Sequence, residues 1–362
     1  MSATIRFEVR PVILPSGATS TATDAPYLTR LAESAHDVDG DAARAVEFAR
    51  TIGGQVARPG GGQTRRLFET MATLAAADLT AARVVEAHVD ALSILAQYSR
   101  LGDGASHATT SNEQTWGVFA AEGPGMRLRA MESEAGWSLS GTKPWCSLAG
   151  VLSHALVTAY TSTSTRRLFT VALRQPGIHV RDVDWVARGL AAVPSVPVDF
   201  RDVPADPIGE TGWYLERAGF AWGGIGVAAC WWGGAIGVAR QVWATGRDRE
   251  PDQLALAHLG ALDVALTAAG VALADAAAAI DAGLADGPAG ALLAARVRGI
   301  VARTVDEVIL RTGHALGPAP LALDERHARR VADLQLYVRQ HHAERDDASL
   351  GRLLASGDGS PW

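Results

Sequence analysis

Cysteine is nearly absent from this sequence: Cys146 and Cys230 are the only two in 362 residues. Two thiols cannot frame a disulfide scaffold of this size, nor supply a thiolate cluster for zinc or iron–sulfur. They fit a reduced, cytoplasmic protein. Excess positive charge is missing as well. A formal net charge of −6 argues against a general polyanion binder, so no nucleic-acid partner is expected. The first residues, MSATIRFEVRPVILPSG, lack the long apolar stretch of a signal peptide. No internal repeat or heptad array is evident. One uncharged run, 218–239, is long enough on paper to span a bilayer. It stands alone, is dense in glycine and sits among charged helical segments. It reads as a buried core helix, with a membrane span as the alternative.

What is present is an ordinary globular composition, 48% hydrophobic and 20% charged, in a chain long enough for two or three domains. The first third is helical in pattern. Residues 42–52 and 65–99 carry apolar residues at three- and four-residue spacing, separated by PGGG at 59–62. LGDGASHATTSNEQ, 101–114, reads as a linker or exposed loop. The middle changes character. WGVFAAEG, MRLRAMESE, GWSLSGTKPW, HALVTAYTS, RLFTVALRQPGIHV and VPSVPVDFRDV alternate apolar with polar residues between Gly, Pro and Asp, the pattern of antiparallel strands in a small barrel or sandwich. Helical pattern returns at 220–244, 252–282, 291–313 and 324–340, four segments whose apolar stripes should pack as a bundle. Helices, then strands, then helices predict an α+β fold rather than a doubly wound one. The expected divisions are 1–112 (helical), 113–210 (β) and 211–362 (helical bundle).

Two features carry candidate chemistry. Trp222, Trp231 and Trp232 fall close together among glycines. They suit either bulky core filling or a flat apolar pocket, with Trp222 the candidate substrate contact. Near the end stands QHHAERD, 340–346. A metal site would need a third ligand beside His342 and Asp346, and no HExxH-like partner is present, so no metal is expected. Two readings remain: a solvated charged face, or acid–base work by His341 or His342 near neutral pH.

GTKPWCSLAGVLSHALVTAY, 141–160, closely resembles the middle-domain signature of the acyl-CoA dehydrogenase family, in which Gly–x–Lys–x–Trp–x–Thr/Ser lies against the flavin. Further pieces follow in that family's order: LAAADLTAARVVEAHVDAL at 74–92, WGVFAAEGP at 116–124, GIHVRDVDWVARGLAAVPSVPVDFRDVPA at 177–205, GGAIGVARQVW at 233–243 and RTGHALGPAPLALDERHARRVADLQ at 311–335. The resemblance implies an N-terminal helical domain, a central antiparallel β domain and a C-terminal four-helix bundle. It also implies FAD between the β domain and the bundle, and a homodimer or homotetramer. Trp145 and Ser147, on alternate strand residues, would offer the ring an aromatic face and an edge hydrogen bond. The backbone of Ala120, Ala121 and Glu122 would meet the other edge, although Ala121 replaces the family's Thr. Arg247 and Arg249 follow the first bundle helix, where a pyrophosphate needs a cation, or they form an exposed charged turn. In the adenine-side loop Arg311 stands for the usual Gln, and His314 and Ala315 for Gly-Gly.

The family's catalytic Glu is missing. His341 stands opposite it, and IGVAACWWGG offers no carboxylate where some members keep theirs. The resemblance therefore implies a flavin-dependent oxidoreductase with three readings. One is an enzyme oxidising the Cα–Cβ bond of an acyl-CoA, with an electron-transfer partner. Another is a two-component monooxygenase, acting on an aromatic or amine substrate with a flavin reductase. The third is a non-catalytic relative.

Overall fold

The structure, a computed structural model, describes residues 9–15, 24–101, 111, 113–248 and 250–357. Four helices open the chain: α1 (Ala25–His36), α2 (Ala42–Ile52), α3 (Thr64–Ala77) and α4 (Leu79–Ser99). The pattern over 65–99 predicts one helix; the structure has two. Asp78 takes an extended conformation, and its side chain accepts the Ala81 N–H at 2.8 Å and the Gly40 N–H at 2.9 Å. An Asp N-cap of this kind begins a new helix even where apolar periodicity runs through.

Seven strands follow: β1 (Trp116–Phe119), β2 (Leu128–Ser133), β3 (Gly136–Ser147), β4 (His154–Tyr160), β5 (Arg166–Ala172), β6 (Ile178–Val180) and β7 (Ser195–Ile208). Pairings run β4–β2–β3–β7–β5 and return to β4, closing a five-stranded ring, with β1 added beside β4 and β6 beside β7. The expectation of an all-antiparallel sheet needs correction. β1 pairs with β4 in parallel, and so does β2 through Arg129 and Tyr160. The β2–β3 hairpin lies between β1 and β4 in sequence and supplies the crossover that a parallel pair requires.

The remaining helices are α5 (Trp213–Glu216), α6 (Ala218–Asp248), α7 (Gln253–Asp281), α8 (Gly287–Leu316), α9 (Ala319–Leu323), α10 (Glu325–Tyr337) and α11 (Glu344–Ala355). A 3-10 turn, Val338–Gln340, follows α10. Two of them, α6 and α7, are long and apolar enough to cross a membrane by length and composition. α6 runs through the centre, packed on α3, α4, α7, α8 and α10. Its glycines permit this closeness: a Cβ on Gly237 would lie 2.7 Å from the Ala76 carbonyl oxygen, and one on Gly233 would collide with the Ala72 backbone.

Two contacts set the β ring against the helices. Ala91, Leu92, Ile94 and Leu95 of α4 share a core with Trp116, Leu156, Leu168, Ile208 and Tyr214. On the other side, the Leu190 N–H donates to Asp333 of α10 at 2.5 Å. A cleft remains between these two seams.

Candidate functional site

The cleft has a volume of about 650 Å³ and is walled by three parts of the chain. The sheet contributes Val118, the segment Ala120–Ala121–Glu122, Trp145, Ser147 and Ser195. α4 contributes Arg83, Glu86 and Asp90, and the end of α10 with its following turn contributes Tyr337, Arg339, Gln340 and His342.

Trp145 is the most exposed aromatic surface of this cleft, which Trp185, Tyr214 and Tyr337 also line. The β3–β7 register slips between Lys143 and Cys146, and within that bulge Trp145 has φ +57°. A bulky residue in the left-handed region is strained, and a bulge re-aims its side chain. The indole is 57% exposed. Trp145 and Ser147 line the same wall, with the buried Cys146 between them turned to the core, as strand alternation gives.

Ser147 is held from two sides. Its hydroxyl lies 2.7 Å from that of Ser195 and accepts from the Arg83 guanidinium at 3.3 Å. Arg83 also donates to Glu86 Oε2 at 3.0 Å, and the Tyr337 hydroxyl donates to the same oxygen at 3.2 Å. A continuous polar path thus runs Ser195–Ser147–Arg83–Glu86–Tyr337 across sheet, α4 and α10. Burial pushes the Glu86 carboxyl up to about 6, with Arg83, Tyr337 and Arg298 opposing and Asp90 reinforcing. Asp90 is likewise raised by burial.

Glu122 contributes differently. Its carboxylate is engaged by Lys143 at 2.7 Å and Arg166 at 3.0 Å, while Lys143 also donates to Thr158 at 2.8 Å. The lysine of the GTKPW motif is thus a buried brace, holding the segment after β1 at the cleft edge. Burial lowers its pKa and Glu122 opposes the shift.

The paired histidines separate. His342 borders the cleft, 64% exposed, with Nδ1 3.4 Å from Asp346. His341, expected from the sequence resemblance to stand opposite the catalytic Glu, is 8% exposed and does not line the cleft. Its Nδ1 accepts the Ala343 N–H at 3.2 Å, its ring meets Trp231 edge-on at 6.5 Å, and burial lowers its pKa. Adjacent residues in an extended segment point to opposite sides, which is why one histidine faces the cleft and the other the core.

The tryptophans do not form one pocket. Trp222 and Trp231 are nine residues apart, about two and a half turns, so they occupy opposite faces of α6. Trp222, the expected substrate contact, donates to the Ala285 carbonyl at 2.7 Å and lies away from the cleft. Trp232 donates to Leu266 at 2.9 Å. Trp231 is buried beneath Arg298, 4.7 Å from its ring centre.

The residues matched to the adenine-side loop also lie elsewhere in the chain. Arg311 is ion-paired with Glu307, and the His314 ring is 6.2 Å from that of His258. Ala315 borders a separate hollow of about 240 Å³ with Val242, Trp243 and Leu316. The Arg247 side chain and all of Arg249 fall outside the described residues. Among the described residues, no group of three or more His, Cys, Asp or Glu is placed to hold a metal ion.

Glu86 and Asp90 were not singled out by sequence reasoning. A signal was there: Arg83, Glu86 and Asp90 recur at three- and four-residue spacing on an otherwise apolar helix, marking one polar stripe.

No family model matches the chain, and no curated protein matches it. Solved structures do. KijD3, in complex with FMN and dTDP-3-amino-2,3,6-trideoxy-4-keto-3-methyl-D-glucose, is 20% identical over 92% of each chain with a TM-score of 0.77. TdsC from Paenibacillus sp. A11-2, with FMN and indole, is 16% identical over 94% of this chain and 99% of its own, TM-score 0.77. A nitrososynthase from Micromonospora carbonacea var. africana is 19% identical over 95% and 97%, TM-score 0.73. The chain has the acyl-CoA dehydrogenase fold that these proteins share.

Proposed function

We propose that this protein is a flavin-dependent oxidoreductase that oxidises a small molecule in the cleft between the β ring and α4. One observation carries the reading: an exposed, strained Trp145 and the Ser147 hydroxyl share a 650 Å³ cleft with a buried acid–base group. That volume suits a flat cofactor with a small substrate. The residues fit a flavin: an aromatic surface for one ring face, a hydroxyl braced by Ser195 and Arg83 for an edge, and the backbone of 120–122 for the opposite edge. When bound, the flavin would supply electron or hydride transfer and, once reduced, reactivity toward oxygen. The chain's own part is to cover the ring with Trp145, orient it through Ser147, and hold protons at Glu86 and His342.

Within this reading we favour oxygenation of an amine or aromatic substrate over Cα–Cβ oxidation of an acyl-CoA. KijD3 and TdsC, of like fold, are seen with an amino sugar and with indole. FMN, present in both complexes, is preferred to FAD as the first ligand to test. A separate flavin reductase would then supply electrons in the reduced, cytoplasmic compartment expected from the sequence. Self-association belongs to the same proposal, since α7 turns Val264 and Val271 outward.

Titration of the purified protein with FMN and with FAD, read by flavin fluorescence, tests the reading. Quenching with saturation, then oxygen-dependent product when reduced flavin and an amine or indole are supplied, is expected. Absence of binding by either flavin overturns it. Bleaching of the bound flavin by an acyl-CoA without oxygen would favour the dehydrogenase instead.

A further inference from the structure

Glu86 is a cleft carboxylate held jointly by its own helix, α4, and by α10. It lies in the wall of the cleft with its side chain 13% exposed, so it is shielded from bulk water yet open to a bound molecule. Arg83, one turn before it on α4, holds Oε2 at 3.0 Å, and Tyr337 holds the same oxygen at 3.2 Å. Both bonds converge on Oε2, and among the described residues no hydrogen bond reaches Oε1. Asp90, one turn further along α4, brings a second carboxylate into the same wall.

We infer that Glu86 is the counter-ion that binds an amine substrate as its ammonium in this cleft, with Tyr337 and Arg83 as its positioning residues. This rests on the cleft being the substrate site, as proposed above. The contact is a charge-assisted hydrogen bond from an ammonium N–H to the Glu86 carboxylate, with no covalent bond formed or broken.

The electrostatics agree with this geometry. The groups facing Glu86 are Arg83 and Asp90 from α4, Tyr337 from α10, Arg298 from α8, Cys230 from α6 and Tyr214 from α5. Burial outweighs the cations and leaves the carboxyl titrating near 6, so it is ionised at neutral pH yet basic for a carboxylate. An indole or a thioester brings no cation to such a carboxylate, whereas an ammonium does. Glu86 and Asp90 together also favour a cation in the wall they share.

The test uses full-length protein with glutamate-selective carbon-13 labelling, so that infrared bands of glutamates are separated from that of Asp333. One protonated-carboxyl band with a midpoint near pH 6 is expected in the wild type and its loss in Glu86→Gln. Tyr337→Phe removes a hydrogen bond to the ionised form and should move the midpoint upward. On wild-type protein, 2-phenylethylamine should move the midpoint downward, because a bound cation favours the carboxylate. The uncharged 2-phenylethanol should not. Calorimetry should show Glu86→Gln weakening the amine by about tenfold or more and leaving the alcohol unchanged. A band that persists in Glu86→Gln, or equal shifts with amine and alcohol, overturns the inference. Neither arm needs flavin, so its failure is distinct from a failure to bind FMN, which the fluorescence titration reports separately.

Discussion

The Tyr337 hydroxyl donates to Glu86 Oε2 at 3.2 Å, joining α10 to α4 across 251 residues of sequence. That contact ties two walls of the cleft together and holds a buried carboxyl between them. Its consequences for stability can be measured without any ligand.

Glu86 titrates near 6 in the folded protein against an ordinary 4.5, so the folded state binds more protons between those values. Stability from this group is fully present at or below the ordinary pKa and is lost as pH rises through about 6. The shift corresponds to about 2 kcal/mol. Asp333, also raised to about 6 by burial, adds a change of the same sign. Denaturant unfolding at several pH values should show wild-type stability falling across this window, and Glu86→Gln should flatten the fall by roughly Glu86's share.

Trp145→Gly separates stability from ligand binding. Glycine adopts φ +57° freely, and little burial is lost with a 57% exposed indole. Relief of backbone strain, less the entropy cost of glycine, should stabilise the protein by about 1 kcal/mol. The same change should weaken FMN by about tenfold, since the aromatic face is gone. Thermal melting and fluorescence titration read the two effects independently; loss of stability with unchanged FMN affinity would contradict the assignment.

The two histidines should respond differently to alanine. His341 is buried against Trp231 and accepts the Ala343 N–H, so His341→Ala should cost about 1–3 kcal/mol. His342→Ala should change stability by no more than about 0.5 kcal/mol, as its side chain is 64% exposed. Any effect of His342→Ala should therefore be seen in the pH profile of turnover rather than in melting.

Helix packing gives a fourth expectation, in which one substitution has opposite signs at two sites. A Cβ at Gly233 meets the Ala72 backbone, which cannot swing aside, so Gly233→Ala should destabilise by about 1–3 kcal/mol. At Gly260 on α7 a Cβ meets nothing within 4 Å, and Gly260→Ala should stabilise by about 1 kcal/mol through helix propensity. Equal effects at the two sites would show that α3 does not approach α6 as described.

The sequence by itself determined the order of helices, strands and helices, because three- to four-residue and two-residue periodicities are local properties of the chain. It also marked GTKPWCS as a motif, of which Trp145 and Ser147 do reach one cleft. Other matters were set by partners distant in sequence. The Trp145 bulge depends on the register against β7, and the division at Asp78 is fixed in part by Gly40. Which of two adjacent histidines faces the cleft depends on Trp231, over a hundred residues away. Burial of Glu86 depends on Tyr337 and Arg298 arriving from α10 and α8. A side chain's pKa and direction are properties of what surrounds it in space, and only the tertiary structure brings those surroundings together.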